Sequence, residues 1–395
     1  MRFKIALFLV TAALVAGCAS DPTQKTLSDK EQAMQTWNTT RSAILLSLAR
    51  DQYHNGNFDK CKETLQEAMR MDPTNAQTHI LLAKVSIEQG QLEVAEQELA
   101  VARQIDPKQG EADYLSGVIY QRWQQMDKAL SFYQTACDKA PTELAYVMAK
   151  AETLVAMDRQ SEALALLQGK VVYFEHSPVI RDAVGMLLLE QHQTAAAVDM
   201  FRRASILGPD DLTVREHLAT ALFENGECVE AADILSFLVT QDDFIKRPDL
   251  RLMLAECQFA TGRLTDARIT VQTACDLDAS SAIAWLTAAK ISVALGDERR
   301  AEISLNRSIS LDPTSAEGPL LMGYLRLKQE RYQDALTSFN AAANLNPGDS
   351  TSLCMIGYTL EKMNRPKDAE QYFKQALKLD PKDSLAHKFM ADAGE

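Results

Sequence analysis

The chain has 395 residues, 46% of them hydrophobic and 7% aromatic, enough to bury a long continuous core. Its 54 acidic residues outnumber 41 basic ones, a formal net charge of −13 without basic clusters. That balance argues against nucleic-acid binding and against attachment to anionic lipid through a basic surface.

In chain order, the first feature is a leader. Arg2 and Lys4 precede an apolar run, Ile5 to Ala16, too short to span a bilayer as a mature helix. The run closes on Leu14-Val15-Ala16-Gly17-Cys18. This motif resembles a bacterial lipobox, which implies a signal peptide over 1–17 and lipidation of Cys18. A cut near Ala19 by an ordinary signal peptidase is the other reading. Ala19, rather than aspartate, after the cysteine implies an outer-membrane lipoprotein facing the periplasm. Residues 18–28 then form a lipidated cysteine and a polar tether that includes Pro22. Ser28 and Glu31 offer a capping box, so the first helix is expected to start well before residue 42.

Over 29–383, with register 42–383, one unit repeats. An alanine recurs every 34 residues at Ala95, Ala129, Ala163, Ala197 and Ala231, then at Ala267, Ala301, Ala335 and Ala369, with Cys61 in the first place. Only the step from Ala231 to Ala267 departs from the period. Twelve residues earlier in each unit stands Ala or Gly, from Ala49 and Ala83 to Gly323 and Gly357. Small residues at matched points let two helices approach closely, while Leu48, Leu65, Tyr133, Phe201, Phe339 and Phe373 supply apolar faces. Pro73, Pro107, Pro141, Pro209, Pro313, Pro347 and Pro381 end the second helix of their units. Gly56, Gly90, Gly226, Gly262 and Gly296 mark the turn inside the unit. Pro178, Pro248 and Pro319 lie near the start of first helices, and Pro366 opens a second helix. A fixed period of this length is the signature of a solenoid.

Trp285, Gly117 with Tyr120, Ala129, Tyr133, Ala136 and Pro141 give the unit its closest likeness: it resembles the tetratricopeptide repeat. The resemblance implies an all-α, right-handed superhelical solenoid of about ten helix-turn-helix repeats. It also implies a capping helix over 384–395, begun by Asp383 or Ser384. Two units depart from the pattern. The fourth has Lys170 and Glu175 in place of Ala and Pro, with the apolar run Val171 to Phe174. The sixth has Leu238 and Asp243, then two extra residues near Phe244–Arg247. Solvent-facing drift explains these departures, and a bend or an exposed sticky edge is the sharper expectation.

No nucleotide loop, HExxH or GxSxG motif occurs, the six histidines are scattered, and no cysteine spacing suits a metal. The sequence therefore implies no enzyme, no cofactor, no metal and no small-molecule substrate. His217 and Glu216 read as a solvated helix face. The cysteines after Cys18, from Cys61 to Cys354, read as buried thiols.

In the resembled family the first helices line the concave surface. Counting four residues on from each small position gives Tyr53, Ile87, Val155, Leu189, Phe223, Phe259, Val293 and Leu327, with Gln121 and Glu361 completing the series. Tyr114, Val118, Met148, Met186, Leu252, Leu320, Tyr324 and Tyr358 join them. Packing against the next helix competes with exposure at each position. Taken together, the stripe implies a groove for apolar or amphipathic segments of protein partners. Arg50, Lys84 and Arg122 lack the asparagines of a carboxylate clamp. The implied function is a lipid-anchored periplasmic scaffold for a cell-envelope machine, similar to lipoproteins of type IV or tight-adherence pilus and secretion systems. A scaffold of polysaccharide export and a regulatory subunit of an envelope enzyme are the alternatives.

Overall fold

A computed structural model describes residues 22–392, with side chains over 29–390. The leader over 1–17, Cys18 and Gly394 lie outside the described residues. Twenty-one α-helices and one 3₁₀ turn account for the described chain, which contains no strand. It divides into two compact units, residues 1–174 and 175–395.

In the first unit the helices are α1 (Pro22–His54), α2 (Phe58–Met71), α3 (Ala76–Glu88), α4 (Leu92–Ile105), α5 (Glu111–Arg122), α6 (Met126–Lys139), α7 (Leu144–Ala156) and α8 (Gln160–Lys170). A 3₁₀ turn, Val171–Phe174, follows. In the second they are α9 (Pro178–Glu190), α10 (Thr194–Leu207), α11 (Leu212–Glu224), α12 (Cys228–Leu238), α13 (Pro248–Ala260), α14 (Leu264–Leu277), α15 (Ala282–Ala294), α16 (Glu298–Leu311), α17 (Glu317–Lys328), α18 (Tyr332–Leu345), α19 (Ser350–Lys362), α20 (Pro366–Leu379) and α21 (Ser384–Asp392). Within each unit a helix packs on its sequence neighbours and, among first helices, on the next first helix along.

The turn inside every repeat has one geometry. Five glycines, Gly56, Gly90, Gly226, Gly262 and Gly296, take φ between +71° and +80°. At the same register the other five repeats hold Gln124, Asp158, His192, Glu330 and Asn364 in the left-handed region. The residue after each one donates its N–H to the carbonyl five residues back, as Gln91 does to Ser86 at 2.7 Å and Arg331 to Arg326 at 2.9 Å. The left-handed residue itself donates to the carbonyl three back, as Gly90 does to Ile87. This is the Schellman closure, which satisfies the last carbonyls of the first helix. At the far end, Asp72, Asp106, Asp312 and Asp380 precede the prolines, and each Oδ1 accepts the N–H two residues on. Asn75, Asp211, Asp349 and Asp383 then cap the next first helix through their side chains.

The period alanines and Cys61 are fully buried. What faces the earlier small position follows a rule. Where it is glycine, at Gly117, Gly185, Gly323 and Gly357, the second helix presents a buried ring: Tyr133, Phe201, Phe339 or Phe373. A methyl added at Gly117 would lie 2.5 Å from the Tyr133 ring, and one at Gly185 2.6 Å from Phe201. Where it is alanine, the opposing residue is Leu65, Leu99, Leu167, Leu235, Val271 or Leu305. Volume is conserved across the pair.

Both irregular repeats shorten their second helix to 11 residues. At Lys170 the helix tightens into the 3₁₀ turn, leaving Val172 and Tyr173 exposed, with the Lys170 ammonium over the Tyr173 ring. The apolar edge expected there is present. In the sixth repeat Leu238 and Phe244 turn inward and are buried, while Phe237 and Ile245 are exposed.

Two further expectations are corrected. Residues 22–28, expected in a tether, are helical: α1 is described from Pro22 onward and runs through Ser28 without a break. Ser28 therefore does not cap the start. Second, Leu48 and Ile44 are 48% and 65% exposed. Their counterparts in the next repeat, Leu82 and Thr78, are buried. The difference arises because no repeat among the described residues precedes α1 to cover them. Met34 and Trp37 extend this exposed stripe along α1. At the other end α21 stands where the capping helix was expected, and its Phe389 stacks on Tyr358 at 4.5 Å.

Candidate partner-binding surfaces

The first helices lie side by side, α1 on α3, α3 on α5, α9 on α11, α13 on α15, α15 on α17 and α19 on α21. Ion pairs stitch neighbours together: Lys84 to Glu111 and Lys290 to Glu317, both at 2.6 Å. The residues predicted for the groove lie on these first helices, and packing takes most of their surface. Tyr53, Ile87, Val155, Leu189, Phe223, Phe259, Val293 and Leu327 all sit in the last turn of a first helix. There their carbonyls receive the N–H of the left-handed residue. Ile87 is buried within the core, and the other seven are half-buried. Phe259, Val293 and Leu327 pack against the core clusters of their own stretches. Tyr114 stacks on Tyr146 at 4.9 Å. Tyr324 meets Phe339 edge-on at 5.4 Å, and Tyr358 stacks on the capping helix. Met186 alone of the predicted set is exposed, at 36%.

Several polar groups of this face are already engaged. Burial, then the Glu88 carboxylate, pushes the Tyr53 hydroxyl above its ordinary range. Burial, followed by Glu111 and Glu143, takes Tyr146 to about 12. Of the three clamp candidates, Arg50 donates to Gln77, Lys84 pairs with Glu111, and Arg122 donates to the Ile87 carbonyl at 3.2 Å. All three are engaged within the chain.

His217 and Glu216 correct the reading of a solvated helix face. His217 Nδ1 lies 2.8 Å from Asp182 on the neighbouring first helix, and Glu216 pairs with Arg247 at 2.7 Å. Both are ties between repeats, set by the stacking of α11 on α9 and the loop before α13. Burial pushes the Cys257 and Cys354 thiols up to about 12 and Cys275 to about 11, so none is a reactive thiolate. Among the described residues no three His, Cys, Asp or Glu side chains converge as a metal site, and no helix is long and apolar enough to cross a membrane.

A second surface was missed by sequence reasoning. Between α14 and α16, with α15 as its floor, lies an open cleft of about 640 Å³. Ile269 and Ile303 form its lips, 64% and 56% exposed. The signal was present in the register, two places after the period alanines Ala267 and Ala301.

Four tetratricopeptide-repeat family models match, at residues 54–118, 184–244, 282–315 and 350–383. The chain is a tetratricopeptide-repeat protein, and such repeats are scaffolds for protein–protein interaction. No curated protein matches it in sequence. Among solved structures it is similar to the anaphase-promoting-complex hetero-tetramer Cut9-Hcn1, at 13% identity, over 90% of this chain and 96% of that one, with a TM-score of 0.48. MamA is similar at 20% identity, over 44% of this chain and 93% of that one, with a TM-score of 0.40. A thermophilic repeat protein of Thermus thermophilus is similar at 20% identity, over 46% and 98%, with a TM-score of 0.37.

Proposed function

We propose that this scaffold is a lipoprotein, anchored through Cys18 on the periplasmic side of the outer membrane, that captures protein segments during assembly of an envelope machine such as a pilus or secretion system. One observation carries the capture reading. Within each compact unit neighbouring first helices lie side by side, and seven first helices offer a half-buried apolar residue in the last turn: Tyr53, Val155, Leu189, Phe223, Phe259, Val293 and Leu327. Half-buried rings and aliphatics are already ordered, so a partner segment covering them gains apolar contact at little entropic cost. The leader motif ending in Cys18 supports the anchor.

Two experiments test the reading. Intact-mass analysis of the chain purified from envelopes, beside Cys18→Ser, is expected to show an acylated N-terminal cysteine only in the parent. A soluble, unmodified parent would overturn the anchor. Crosslinked pull-down with the parent and with Met186→Glu/Phe223→Ser is expected to recover an envelope-machine subunit that the variant loses while keeping its helical circular dichroism. Equal recovery would move capture off the first-helix face.

A further inference from the structure

The cleft between α14 and α16 lies on second helices, away from the first-helix face. Eleven residues line it, and Arg268 and Arg300 are the only charged ones. Trp285 and Ala288 of α15 form part of the floor. The lips are unusual for this chain. Ile269 and Ile303 occupy the same place in consecutive repeats, two residues after the period alanine. The other eight repeats carry Glu, Gln, Ser, Ala, Asp or Thr there, among them Glu63, Gln97, Ser131, Asp199 and Thr337. At 64% and 56% exposed, the two isoleucines leave most of their surface outside the packing of their own repeats. Charge changes with it. Arg300 stands where Glu162, Glu230, Asp266, Asp334 and Asp368 place a carboxylate in their repeats, and where Lys60 and Lys128 also place a cation. Arg300 is held only at its edge, by Asp297 at 3.3 Å.

A cleft in the first compact unit offers a contrast. Between α6 and α8 a smaller cleft of about 400 Å³ holds Asp127, Lys150, Arg159 and Glu162. There Arg159 pairs with Glu162 at 2.7 Å and Lys150 donates to Gln134. That cleft is internally neutralised; the one at α14–α16 presents two arginines and two exposed isoleucines in an otherwise acidic protein.

We propose that the α14–α16 cleft docks an acidic amphipathic helix of a partner protein. The partner's apolar side chains lie on Ile269, Ile303 and Ala288, and its flanking carboxylates meet Arg268 and Arg300. Two parallel ridges with an apolar floor match a helix laid into a groove, and cations on its walls select a partner bearing acidic flanks. This interaction is independent of capture by the first helices and survives if that reading fails.

Trp285 lines the cleft and reports its occupancy. In the full chain carrying Trp37→Phe and Trp123→Phe, titration with a synthetic helix bearing leucines on one face and glutamates beside them is expected to shift Trp285 emission saturably. The same peptide with lysines for glutamates is expected to bind at least about tenfold more weakly, and added salt to weaken the acidic peptide. Arg268→Gln/Arg300→Gln is expected to abolish the difference between the two peptides, and Arg268→Glu/Arg300→Glu to reverse it. Ile269→Ser/Ile303→Ser is expected to remove binding of both while unfolding at the same denaturant midpoint, since Ser131 holds that register place in another repeat. No saturable shift, equal affinity for both peptides, or binding indifferent to these substitutions would overturn the proposal.

Discussion

Gly323 and Phe339 illustrate how side chains set the spacing of two helices. A methyl on Gly323 would run into the Phe339 ring, so Gly323→Ala is expected to cost about 1–3 kcal/mol by overpacking. Phe339→Leu in the same chain is expected to recover much of that, because Ala289 with Leu305 is this same solution in a neighbouring repeat. A double-mutant cycle in urea checks it, with a coupling energy of about 1 kcal/mol or more expected; strict additivity would show that the helices shift apart instead. His217 gives the pH prediction. Its hydrogen bond to Asp182 raises its pKa above the ordinary 6.5, against the opposing effect of burial. The folded state therefore holds the proton more tightly, so the tie stabilises fully below the unfolded value near 6.5. It is lost as pH rises through the higher folded value. His217→Gln is expected to flatten that decline in urea midpoints above about pH 6.5. The small positions were legible in the sequence because they recur. The ring opposite each glycine was legible only once the two helices were superposed, since the relation is between neighbours in space. His217 and Glu216 were misread for a related reason. Their partners Asp182 and Arg247 stand about one repeat away, where helical periodicity within α11 carries no information.

At the level of the element, the turn imposes a backbone geometry that half the repeats meet without glycine. Gln124, Asp158, His192 and Glu330 bear Cβ atoms in the left-handed region, at about 1 kcal/mol each. Gln124→Gly, His192→Gly and Glu330→Gly are each expected to raise stability by about 0.5–1 kcal/mol, and Asn364→Gly by less, since asparagine tolerates this region. Thermal and urea midpoints of the four variants check the order. A uniform loss would mean that side-chain contacts at the turn outweigh the backbone. Helices and their punctuation could be read in advance because proline, glycine and the acidic caps act locally. The groove series could not be resolved in the same way. Its register was right for the last turn of each first helix, but the Schellman closure and the next repeat bury much of what a helical wheel presents as free. The helical state of residues 22–28 was missed for the opposite reason, as this polar stretch carries no apolar periodicity to mark a helix.

For the molecule as a whole, residues 1–174 and 175–395 form two compact units, and the division falls at the shortened fourth repeat. Repeat proteins hold together through intrinsic and nearest-neighbour energies, so a weak repeat partitions cooperativity. Hydrogen exchange under mild denaturant is expected to show two groups of amides, with the boundary at 171–175. One common opening energy across both sides would contradict it. The period of 34 made the repeats legible over the whole chain, whereas this division was signalled only by the substitutions Lys170 and Glu175.

The reach of the packing has a mechanical consequence. Within a unit no helix depends on one far away in sequence, so tension applied between its ends passes through the repeat interfaces in series. Such a unit stretches as a soft spring under small loads and yields one repeat at a time under larger ones. Each yielding event frees 34 residues, on the order of 110–120 Å of contour. The aromatic–glycine interfaces and the alanine–aliphatic ones differ in packing, so the steps are expected to be equal in length and unequal in force.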